Sequence, residues 1–287
     1  MQERIGVIGL GRMGRALAAR LAGQGAPVAG WTRSGLSAAD ADALGIVAAA
    51  DLPGLVAVSD VLLLSLFDDA AVREMLARLA RLDLAGRLIV ETSTVSPAVV
   101  REAAPAIEAA GGRLIDAPIS GGPEMVAAGT IGLFLGGAPE DVARLDPLAR
   151  LLSDRVLPVG ALGAGHAAKI VNNVALGGMW QTTLEALRLG QRLGLERDTM
   201  LGVLERSPGT GPALRDRLPK IRGEDMTVGF SVAGILKDQD LFLAVAEAAG
   251  EPLPALAAAR ENFRAVAAAG HGEEDLARMI ALRLSAP

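Results

Sequence analysis

The chain has no cysteine and no tyrosine, and each absence removes a class of chemistry. Without cysteine it can form no disulfide, no thiolate metal site and no cysteine nucleophile. Without tyrosine, no phenol can act as an acid. The two histidines, His166 and His271, are too few and too far apart along the chain to predict a metal site. The sequence therefore points away from metal, thiol and phenol chemistry.

Long apolar runs and clusters of positive charge are also missing. No uninterrupted apolar stretch approaches about 20 residues, so we expect no membrane-spanning helix. The net charge is −5, which argues against nucleic acid and against a membrane surface as partners. The first residues lack the basic start and the longer apolar stretch of a signal peptide, and we expect a cytoplasmic protein. A chain of 287 residues with 51% hydrophobic content is long enough for two domains.

Lysine is scarce, although positive charge is not. Among 28 Lys and Arg residues only Lys169, Lys220 and Lys237 are lysine. Burial can move the pKa of a lysine towards neutrality, whereas arginine stays charged. Lys169 lies in the sequence GAGHAAKIVNN, where a glycine-rich loop leads into an apolar-periodic segment that predicts a long helix over residues 166–193. We predict Lys169 as a proton donor and Lys220 as a surface residue.

Three other residues near or beyond this segment carry separate interpretations. The pitch of a helix places Asn173 on the same face as the lysine four residues earlier. His166 is interpreted as a hydrogen-bonding residue of the loop, and His271, between two glycines, as an exposed turn residue.

A strand, a glycine motif and a helix follow one another at the start of the chain. Residues 4–8 predict a buried strand, residues 15–24 predict a helix, and between them lies Gly9-Leu10-Gly11-Arg12-Met13-Gly14. In this context the glycines are typical of a dinucleotide site. Gly9 permits the tight turn, Gly11 lets the backbone approach a pyrophosphate, and Gly14 lets the helix pack closely on the strand.

The residues after the second predicted strand, 27–31, indicate which dinucleotide binds. NAD-binding chains carry an acidic residue about 20 residues after the glycines, for the ribose 2′-hydroxyl. Between Glu3 and Asp40 this chain has no acidic residue, and Arg33 and Ser34 stand where a 2′-phosphate would lie. We therefore predict NADP(H), with NAD less favoured.

Strand-like and helical segments alternate up to about residue 152 and then only helical ones follow. The predicted strands continue at residues 61–66, 88–90, 114–115 and 131–135, and the predicted helices at 70–81, 97–110 and 139–152. Beyond the long central helix, helices are predicted at 197–205, 231–249, 254–268 and 273–284. This pattern predicts a doubly wound, mostly parallel α/β sheet over residues 1–162 and an all-helical domain over 163–287. The glycines inside the long helix, among them Gly177, indicate close packing against another element.

Ligands on such sheets bind at the carboxyl ends of the strands. Leu66 and Phe67 follow one predicted strand and Thr94 follows the next, so we expect them near the nicotinamide half of the coenzyme. Ser93 and Thr94 would equally well cap the helix that begins at Pro97. Further on, Ser120-Gly121-Gly122 offers a hydroxyl and closely spaced N–H groups, which suit a carboxylate, although by itself the segment is also an ordinary turn.

Five motifs in order now resemble the β-hydroxyacid dehydrogenase family. They are GLGRMG at 9–14, DAPISGG at 116–122, GTIGLFLGG at 129–137, GAGHAAKIVNN at 163–173 and KDQDL at 237–241. The resemblance is collinear over nearly the whole chain. It implies a Rossmann domain followed by a helical domain, assembled into dimers or tetramers.

The resemblance also implies residue roles. It gives Lys169 the acid/base step with Asn173 beside it, and the Ser120–Gly122 loop the substrate carboxylate. Thr94 and Lys237 would lie by the nicotinamide, while Arg33 and Ser34 match the NADP-preferring branch.

The expected function is the interconversion of a small hydroxy acid and its aldehyde or keto acid. Two alternatives stay open, an imine reductase-like enzyme on the same fold and a non-catalytic NADPH-binding scaffold. The lysine argues against the first, because imine reductases resemble this family but usually carry Asp or Tyr at that place. The chain departs from the family pattern at Met125-Val126, where many members have Gly-Ala, and Trp180 is assigned either to a core or subunit contact or to the pocket.

Overall fold

The computed structural model describes residues 3–285 and forms two compact units, one ending at Ile170 and one beginning at Val171. The predicted division after residue 162 stays a prediction. The outermost residues of the two predicted domains, 1, 2, 286 and 287, lie outside the described part of the chain.

The first unit is built on one sheet, as the alternation of segments predicts. Its strands within the described residues are β1 Ile5–Ile8, β2 Val28–Trp31, β3 Val47–Ala48, β4 Val61–Leu64, β5 Leu88–Glu91, β6 Arg113–Asp116, β7 Ile119–Ser120, β8 Gly132–Gly136 and β9 Arg155–Gly160. Their order is β3-β2-β1-β4-β5-β6-β8-β7, with β9 beside β8. The first six strands are parallel, whereas β8 runs antiparallel to β6 and β7.

The strands are apolar throughout because both faces of the sheet are covered. Along β4, Val61 and Leu63 face one hydrophobic core, while Leu62 and Leu64 face another. The helices of this unit are α1 Arg12–Gly23, α2 Ala38–Leu44, α3 Leu52–Val58, α4 Asp69–Leu79, α5 Pro97–Ala109, α6 Pro123–Ala128 and α7 Pro139–Leu152. Helices α1 and α7 contribute to the first core, and α3, α4 and α5 to the second. The doubly wound, mostly parallel sheet is confirmed.

A 29-residue helix, α8, runs from Ala164 to Arg192 and passes from the first unit into the second. The second unit continues with α9 Arg197–Arg206, α10 Pro212–Arg215, α11 Leu218–Arg222, α12 Val232–Ala248, α13 Pro254–Val266, a π-helical turn Ala267–His271 and α14 Arg278–Ser285. No strand occurs in its described residues, which confirms the all-helical prediction.

Close packing inside the helical unit explains a glycine of α8. A Cβ atom at Gly177 would lie 2.3 Å from Leu256 Cδ1 of α13, so a larger residue does not fit. Trp180 is buried with a 4% exposed fraction in the core of this unit, which favours the core interpretation.

Two predicted details of the helical unit were wrong. The helix predicted from residue 273 begins at Arg278, because the Asp275 carboxylate accepts hydrogen bonds from the backbone N–H groups of Gly229 and Ala277 and holds the preceding turn. Lys220 is no surface residue, since its side chain is 7% exposed and its Nζ lies 2.6 Å from Asp225 Oδ2.

Candidate functional site

The glycine turn after β1 has the geometry that its sequence predicts. Gly9 has φ +92°, in the left-handed region, and a Cβ there would lie 2.3 Å from the Ser65 carbonyl oxygen. A Cβ at Gly14 would lie 1.8 Å from the Gly9 carbonyl oxygen, so α1 packs directly on the turn. A Cβ at Gly11 would meet no described atom within 4 Å. Gly11 is also the N-cap of α1, and it offers no side-chain cap to the first turn of that helix.

Arg33 and Ser34 form the tip of an exposed turn directly after β2. The turn is closed by a hydrogen bond from Gly35 N to the Thr32 carbonyl oxygen, 2.9 Å long. The next acidic residue, Asp40, is already engaged, because its carboxylate accepts hydrogen bonds from the Ser37 hydroxyl and from Arg15. These two partners lower the pKa of Asp40. The charge presented at the end of β2 is therefore the guanidinium of Arg33.

The ends of β4 and β5 are tied together by hydroxyl groups. Ser93 Oγ accepts a hydrogen bond from Leu66 N at 2.8 Å, and Thr92 Oγ1 donates to the Leu64 carbonyl oxygen at 2.6 Å. Phe67 beyond β4 is 68% exposed and Thr94 beyond β5 is half-buried. The alternative prediction that Ser93 and Thr94 cap the helix beginning at Pro97 was wrong.

The residue that caps α5 is Ser96, whose hydroxyl accepts from Ala98 N. The Ser93 hydroxyl instead accepts the hydrogen bond from Leu66 N, just after β4. Thr94 follows β5 and does not cap α5.

The Ser-Gly-Gly segment lies beyond the carboxyl end of β6. Asp116, at the end of β6, pairs with Gly136 of β8, and Ser120 pairs with Gly132, four residues back along β8. This spacing carries Ser120 about 13 Å past the edge of β6. The segment is thus partly a short strand rather than the simple loop that the sequence predicts.

Its glycines fit a close approach of backbone to a ligand. Gly121 has φ +135°, and a Cβ there would lie 3.0 Å from Met125 Sδ. Met125 therefore packs on this turn, so the departure from the family pattern falls beside the predicted carboxylate cradle. Gly122 is the N-cap of α6.

The start of α8 is fixed to the carboxyl ends of β5 and β6 by a buried cluster. Asp116 Oδ1 accepts from Gly163 N and Asp116 Oδ2 from His166 N, both at 2.7 Å. His166 Nε2 lies 3.1 Å from Glu91 Oε2, and both side chains have no exposed surface. Burial raises the pKa of Asp116, while the charge of His166 and the two backbone N–H groups oppose that rise.

The interpretation of His166 as a loop residue was therefore wrong, since it lies in the first turn of α8 within the sheet unit. Glu91 was missed, and Asp116 was noted only as the first residue of the DAPISGG motif, without a role of its own. The signal that could have found them is an acidic residue at the end of a buried strand, which occurs on two neighbouring strands of this sheet.

Lys169 follows one helical turn after His166 and is buried, with an 8% exposed fraction. Asn173, four residues later on α8, is half-buried, and its Oδ1 accepts from Asn172 Nδ2 at 2.9 Å. Lys237 lies on α12 of the helical unit, where its Nζ is 2.9 Å from Asp238 Oδ1.

His271 was predicted as an exposed turn residue, and this too needs correction. Its side chain is 27% exposed and its Nδ1 lies 2.6 Å from Glu274 Oε1. The residue ends the π-helical turn, and its contact with Glu274 holds the ring against the chain.

Most predicted site residues of the sheet unit share one edge. Because the six strands β1 to β6 are parallel, the residues following them collect at their carboxyl ends. The structure places the glycine turn, the Arg33 turn, Leu66, Thr94 and the first turn of α8 at this edge, and the Ser-Gly-Gly segment beyond the end of β6. Among residues 3–285, no group of side chains suited to a metal ion occurs, and no helix is long and apolar enough to cross a membrane.

Comparisons with known proteins cover both halves of the chain. Residues 4–160 match the NAD-binding domain of 6-phosphogluconate dehydrogenase, and residues 163–283 match the NAD-binding region of NADP-dependent 3-hydroxyisobutyrate dehydrogenase. The 2-(hydroxymethyl)glutarate dehydrogenase of Eubacterium barkeri is 32% identical over 281 residues, which is 96% of this chain and 93% of that protein.

Solved structures agree with these matches. The 3-hydroxyisobutyrate dehydrogenase of Mycobacterium tuberculosis, solved with L-serine, superposes with a TM-score of 0.87 at 30% identity and covers 98% of each chain. Psf3, solved with NADP+ and 2-OPP, gives 0.82 at 27% identity over 97% of this chain and 99% of its own. An imine reductase from Pseudomonas sp. gives 0.65 at 23% identity over the whole of both chains, a likeness of fold alone.

Proposed function

The chain belongs to the β-hydroxyacid dehydrogenase family of NAD(P)-dependent oxidoreductases, and on that premise we propose that it interconverts a small β-hydroxy acid and its semialdehyde or keto acid. NADP(H) is the proposed coenzyme and Lys169 the proposed general acid/base. We further propose residues 1–162 as the coenzyme-binding domain, residues 163–287 as the substrate and oligomerisation domain, and a homodimer or homotetramer as the assembly.

One observation carries this proposal. Lys169 is a buried lysine, and the helical turn before it is fixed by Asp116 to the edge of the sheet where the glycine turn lies. Buried lysines are costly, and a lysine beside a ligand edge is a candidate for proton transfer because burial tunes its pKa.

The residues present fit a dinucleotide. The open space at Gly11, the uncapped N-terminus of α1 and the close packing at Gly14 are what a pyrophosphate requires. Arg33 and Ser34 would hold a 2′-phosphate, and the engagement of Asp40 by Arg15 and Ser37 removes the competing ribose carboxylate. Leu10, Arg12 and Met13 complete the glycine turn, while Leu66, Phe67, Thr94 and Lys237 are the proposed neighbours of the nicotinamide.

The proton chemistry belongs to Lys169. When bound, NADPH supplies the hydride that reduces the carbonyl carbon. In that direction the ammonium of Lys169 donates a proton to the carbonyl oxygen, which becomes the hydroxyl, and the amine is left neutral. In the reverse direction the neutral amine accepts the hydroxyl proton. Asn173 orients the lysine or the substrate oxygen.

The substrate is a small molecule with a carboxylate. The hydroxyl of Ser120 and the backbone N–H groups of Gly121 and Gly122 bind that carboxylate and so fix the direction of the carbonyl. L-Serine, with which the mycobacterial structure was solved, is a β-hydroxy acid of this kind and supports the assignment.

A substrate panel tests the function. Consumption of NADPH is followed by absorbance with glyoxylate, succinic semialdehyde, tartronate semialdehyde and a cyclic imine, and each is repeated with NADH. We expect turnover of at least one of the aldehyde acids. Turnover of the imine alone would establish the imine reductase alternative, and NADPH binding without any turnover would establish the scaffold alternative.

Replacement of the lysine tests the role of Lys169. Lys169→Met keeps the length and apolar character of the side chain but removes the amine, so kcat should fall by about 1,000-fold or more with NADPH affinity nearly unchanged. Lys220→Met is the matched control, because Lys220 also has a buried side chain and should leave kcat within about twofold. A loss of less than tenfold for Lys169→Met would remove the lysine from its role.

Replacement of the arginine tests the coenzyme. Arg33→Ala should raise the KM for NADPH by about tenfold and leave the KM for NADH unchanged, because only NADPH carries the 2′-phosphate. Arg81→Ala, which removes another exposed arginine, is the control. An equal loss with both coenzymes would contradict the assignment.

A further inference from the structure

The carboxylate cradle, residues 120–122, is built on the first residues of the GTIGLFLGG motif, to which the proposed function gives no role. Ser120 pairs with Gly132 where β7 lies against β8. A Cβ atom at Gly121 would lie 3.1 Å from Ile131 Cγ2, so this side chain packs on the cradle. The position of the cradle therefore depends on the turn that joins α6 to β8.

The backbone of that turn is closed by two hydrogen bonds. Gly129, at φ +71°, donates from its N–H to the Val126 carbonyl oxygen at 3.1 Å. Thr130 N donates to the Met125 carbonyl oxygen at 2.9 Å, which completes a Schellman motif. The next carbonyl group of α6, that of Ala127, is bound by a side chain from another helix.

That helix is α1, which follows the glycine turn, and the side chain is Arg20 in its last turn. Arg20 Nη1 donates to the Ala127 carbonyl oxygen at 3.3 Å, and Nε donates to the Leu151 carbonyl oxygen at 3.0 Å. A Cβ atom at Gly129 would lie 2.6 Å from Nη2, so the guanidinium also covers the turn. One half-buried arginine thus joins the last turns of α1, α6 and α7.

The end of α7 provides a second connection to the cradle. Ser153, the C-cap of α7, donates from its hydroxyl to the Ile131 carbonyl oxygen at 2.6 Å. Ile131 is therefore connected to Arg20 through the turn after α6 and also through the end of α7. A cation at the ends of these two helices is favourable as well, because their last carbonyl groups carry partial negative charge.

Another arginine of the same unit shows what a purely stabilising role looks like. Arg144 is half-buried too, and it donates to the carbonyl oxygens of Gly86 and Asp60 at 3.0 and 3.2 Å. These two residues precede β5 and β4, at the amino ends of the strands, which is the edge opposite the site. The two arginines make similar bonds at opposite edges of the sheet.

We propose that Arg20 is a positioning residue for the substrate. Its guanidinium holds the carboxylate cradle in a fixed place relative to α1, and hence relative to the coenzyme that binds at the start of α1. The inference rests on the proposed function, in which residues 120–122 bind the substrate carboxylate.

Steady-state kinetics test the proposal. Arg20→Met keeps an apolar stem and removes the guanidinium. The KM for whichever of glyoxylate, succinic semialdehyde and tartronate semialdehyde is turned over should rise about tenfold, because the carboxylate meets a cradle that is no longer fixed. The KM for NADPH should stay within about twofold, because Arg20 lies about 14 Å along α1 from Gly11. Arg20→Lys can serve only one of the two carbonyl groups and should raise the substrate KM about threefold.

Arg144→Met is the matched control and should leave both KM values within about twofold. An unchanged substrate KM in Arg20→Met, or an equal rise in Arg144→Met, would overturn the proposal.

A double-mutant cycle tests whether Arg20 acts through the cradle. If it does, part of its effect disappears when the Ser120 hydroxyl is removed. In the Ser120→Ala background, Arg20→Met should therefore raise the substrate KM by no more than about threefold. A further rise of the full tenfold would show independent action and overturn the proposal.

A third measurement needs no substrate. Amide hydrogen exchange over residues 120–131 should be faster by about tenfold or more in Arg20→Met than in the wild type, and unchanged in Arg144→Met. Exchange at the wild-type rate in Arg20→Met would overturn the proposal.

The outcomes separate this inference from the proposed function. An unchanged KM in Ser120→Ala would end the carboxylate assignment of the proposed function, whereas faster exchange in Arg20→Met would still show that the guanidinium fixes residues 120–131. A raised KM in Ser120→Ala together with an unchanged KM in Arg20→Met would overturn this inference and leave the proposed function intact.

Discussion

The two units of the chain bury polar side chains in different ways. In the sheet unit most of them gather where strands end or where α8 starts, and they include Glu91, Thr92, Ser93, Asp116, His166 and Lys169. In the helical unit they are spread over several elements and include Gln181, Thr210, Asp238, Gln239 and Asp275. We propose that the clustered polar groups at the sheet edge serve the site, whereas the dispersed ones stabilise the fold, as Asp275 does through backbone N–H groups and Arg217. A buried charged residue therefore indicates a functional site only when its position in the fold is considered as well.

Two aspartates sharpen this comparison and give the largest expected effect. Asp116 and Asp275 are both buried and both accept backbone N–H groups, the former at the start of α8 and the latter before α14. Asp116→Asn and Asp275→Asn should each lower the free energy of unfolding by about 2–3 kcal/mol, because a buried acceptor is lost. Only Asp116→Asn should also lower kcat, by about tenfold or more, because the turn before Lys169 loosens.

Urea unfolding and steady-state kinetics measure both quantities on the same samples. An equal fall in kcat for Asp275→Asn would contradict the contrast between the two units, because a carboxylate buried in the helical unit would then also support turnover.

Two adjacent glycines of α8 provide a smaller effect within the helical unit. A Cβ at Gly177 would lie 2.3 Å from Leu256 Cδ1, whereas one at Gly178 would lie 3.8 Å from Ala255 Cβ. Gly177→Ala should therefore destabilise by about 1–3 kcal/mol through overpacking. Gly178→Ala should stabilise by about 0.5–1 kcal/mol, because alanine is the better helix former. Equal effects in thermal or urea unfolding would show that α13 does not press on the helix at Gly177.

The smallest expected effect is on the pH dependence of stability, to which Asp225 and Asp116 should contribute with opposite signs. The hydrogen bond from Lys220 holds the pKa of Asp225 well below its usual range, so Asp225 stabilises the fold above about pH 4 and loses that contribution as the pH falls further. Burial raises the pKa of Asp116, so protonation on acidification favours the folded state at that residue.

The two asparagine variants should therefore diverge as the pH is lowered. The stability deficit of Asp225→Asn should shrink below about pH 4, while that of Asp116→Asn should grow as the pH falls towards about 4. Urea midpoints across that range give the result. Parallel pH profiles for the two variants would contradict the opposite signs.

The sequence predicts the sheet well because its strands are buried on both faces. A continuous run such as that of Val61–Leu64 is unambiguous, since each residue meets one of two cores. The strand Arg155–Gly160 was missed because it is an edge strand with a proline and exposed residues, which carries no apolar pattern. The strand Ile119–Ser120 is too short for any periodicity to detect.

The buried cluster at the start of α8 was not predicted because it is made by residues far apart along the chain. Asp116 and His166 are 50 positions apart, and only the sheet register places Glu91 beside them. Local sequence around His166 describes a glycine-rich turn and nothing of its partners. The glycine turn after β1, in contrast, is specified by residues within one segment, and its geometry follows the prediction closely.

The placement of the two tryptophans supplies a built-in optical probe for each unit. Trp31 ends β2 next to the Arg33 turn, with the Arg78 guanidinium 5.2 Å from its ring centroid, and Trp180 lies in the helical core. Because the chain has no tyrosine, its intrinsic fluorescence comes from these two indoles. Trp180→Phe leaves emission from the sheet unit alone and Trp31→Phe leaves emission from the helical unit alone. Unfolding of each unit can thus be followed by the fluorescence of its own tryptophan, without an attached dye.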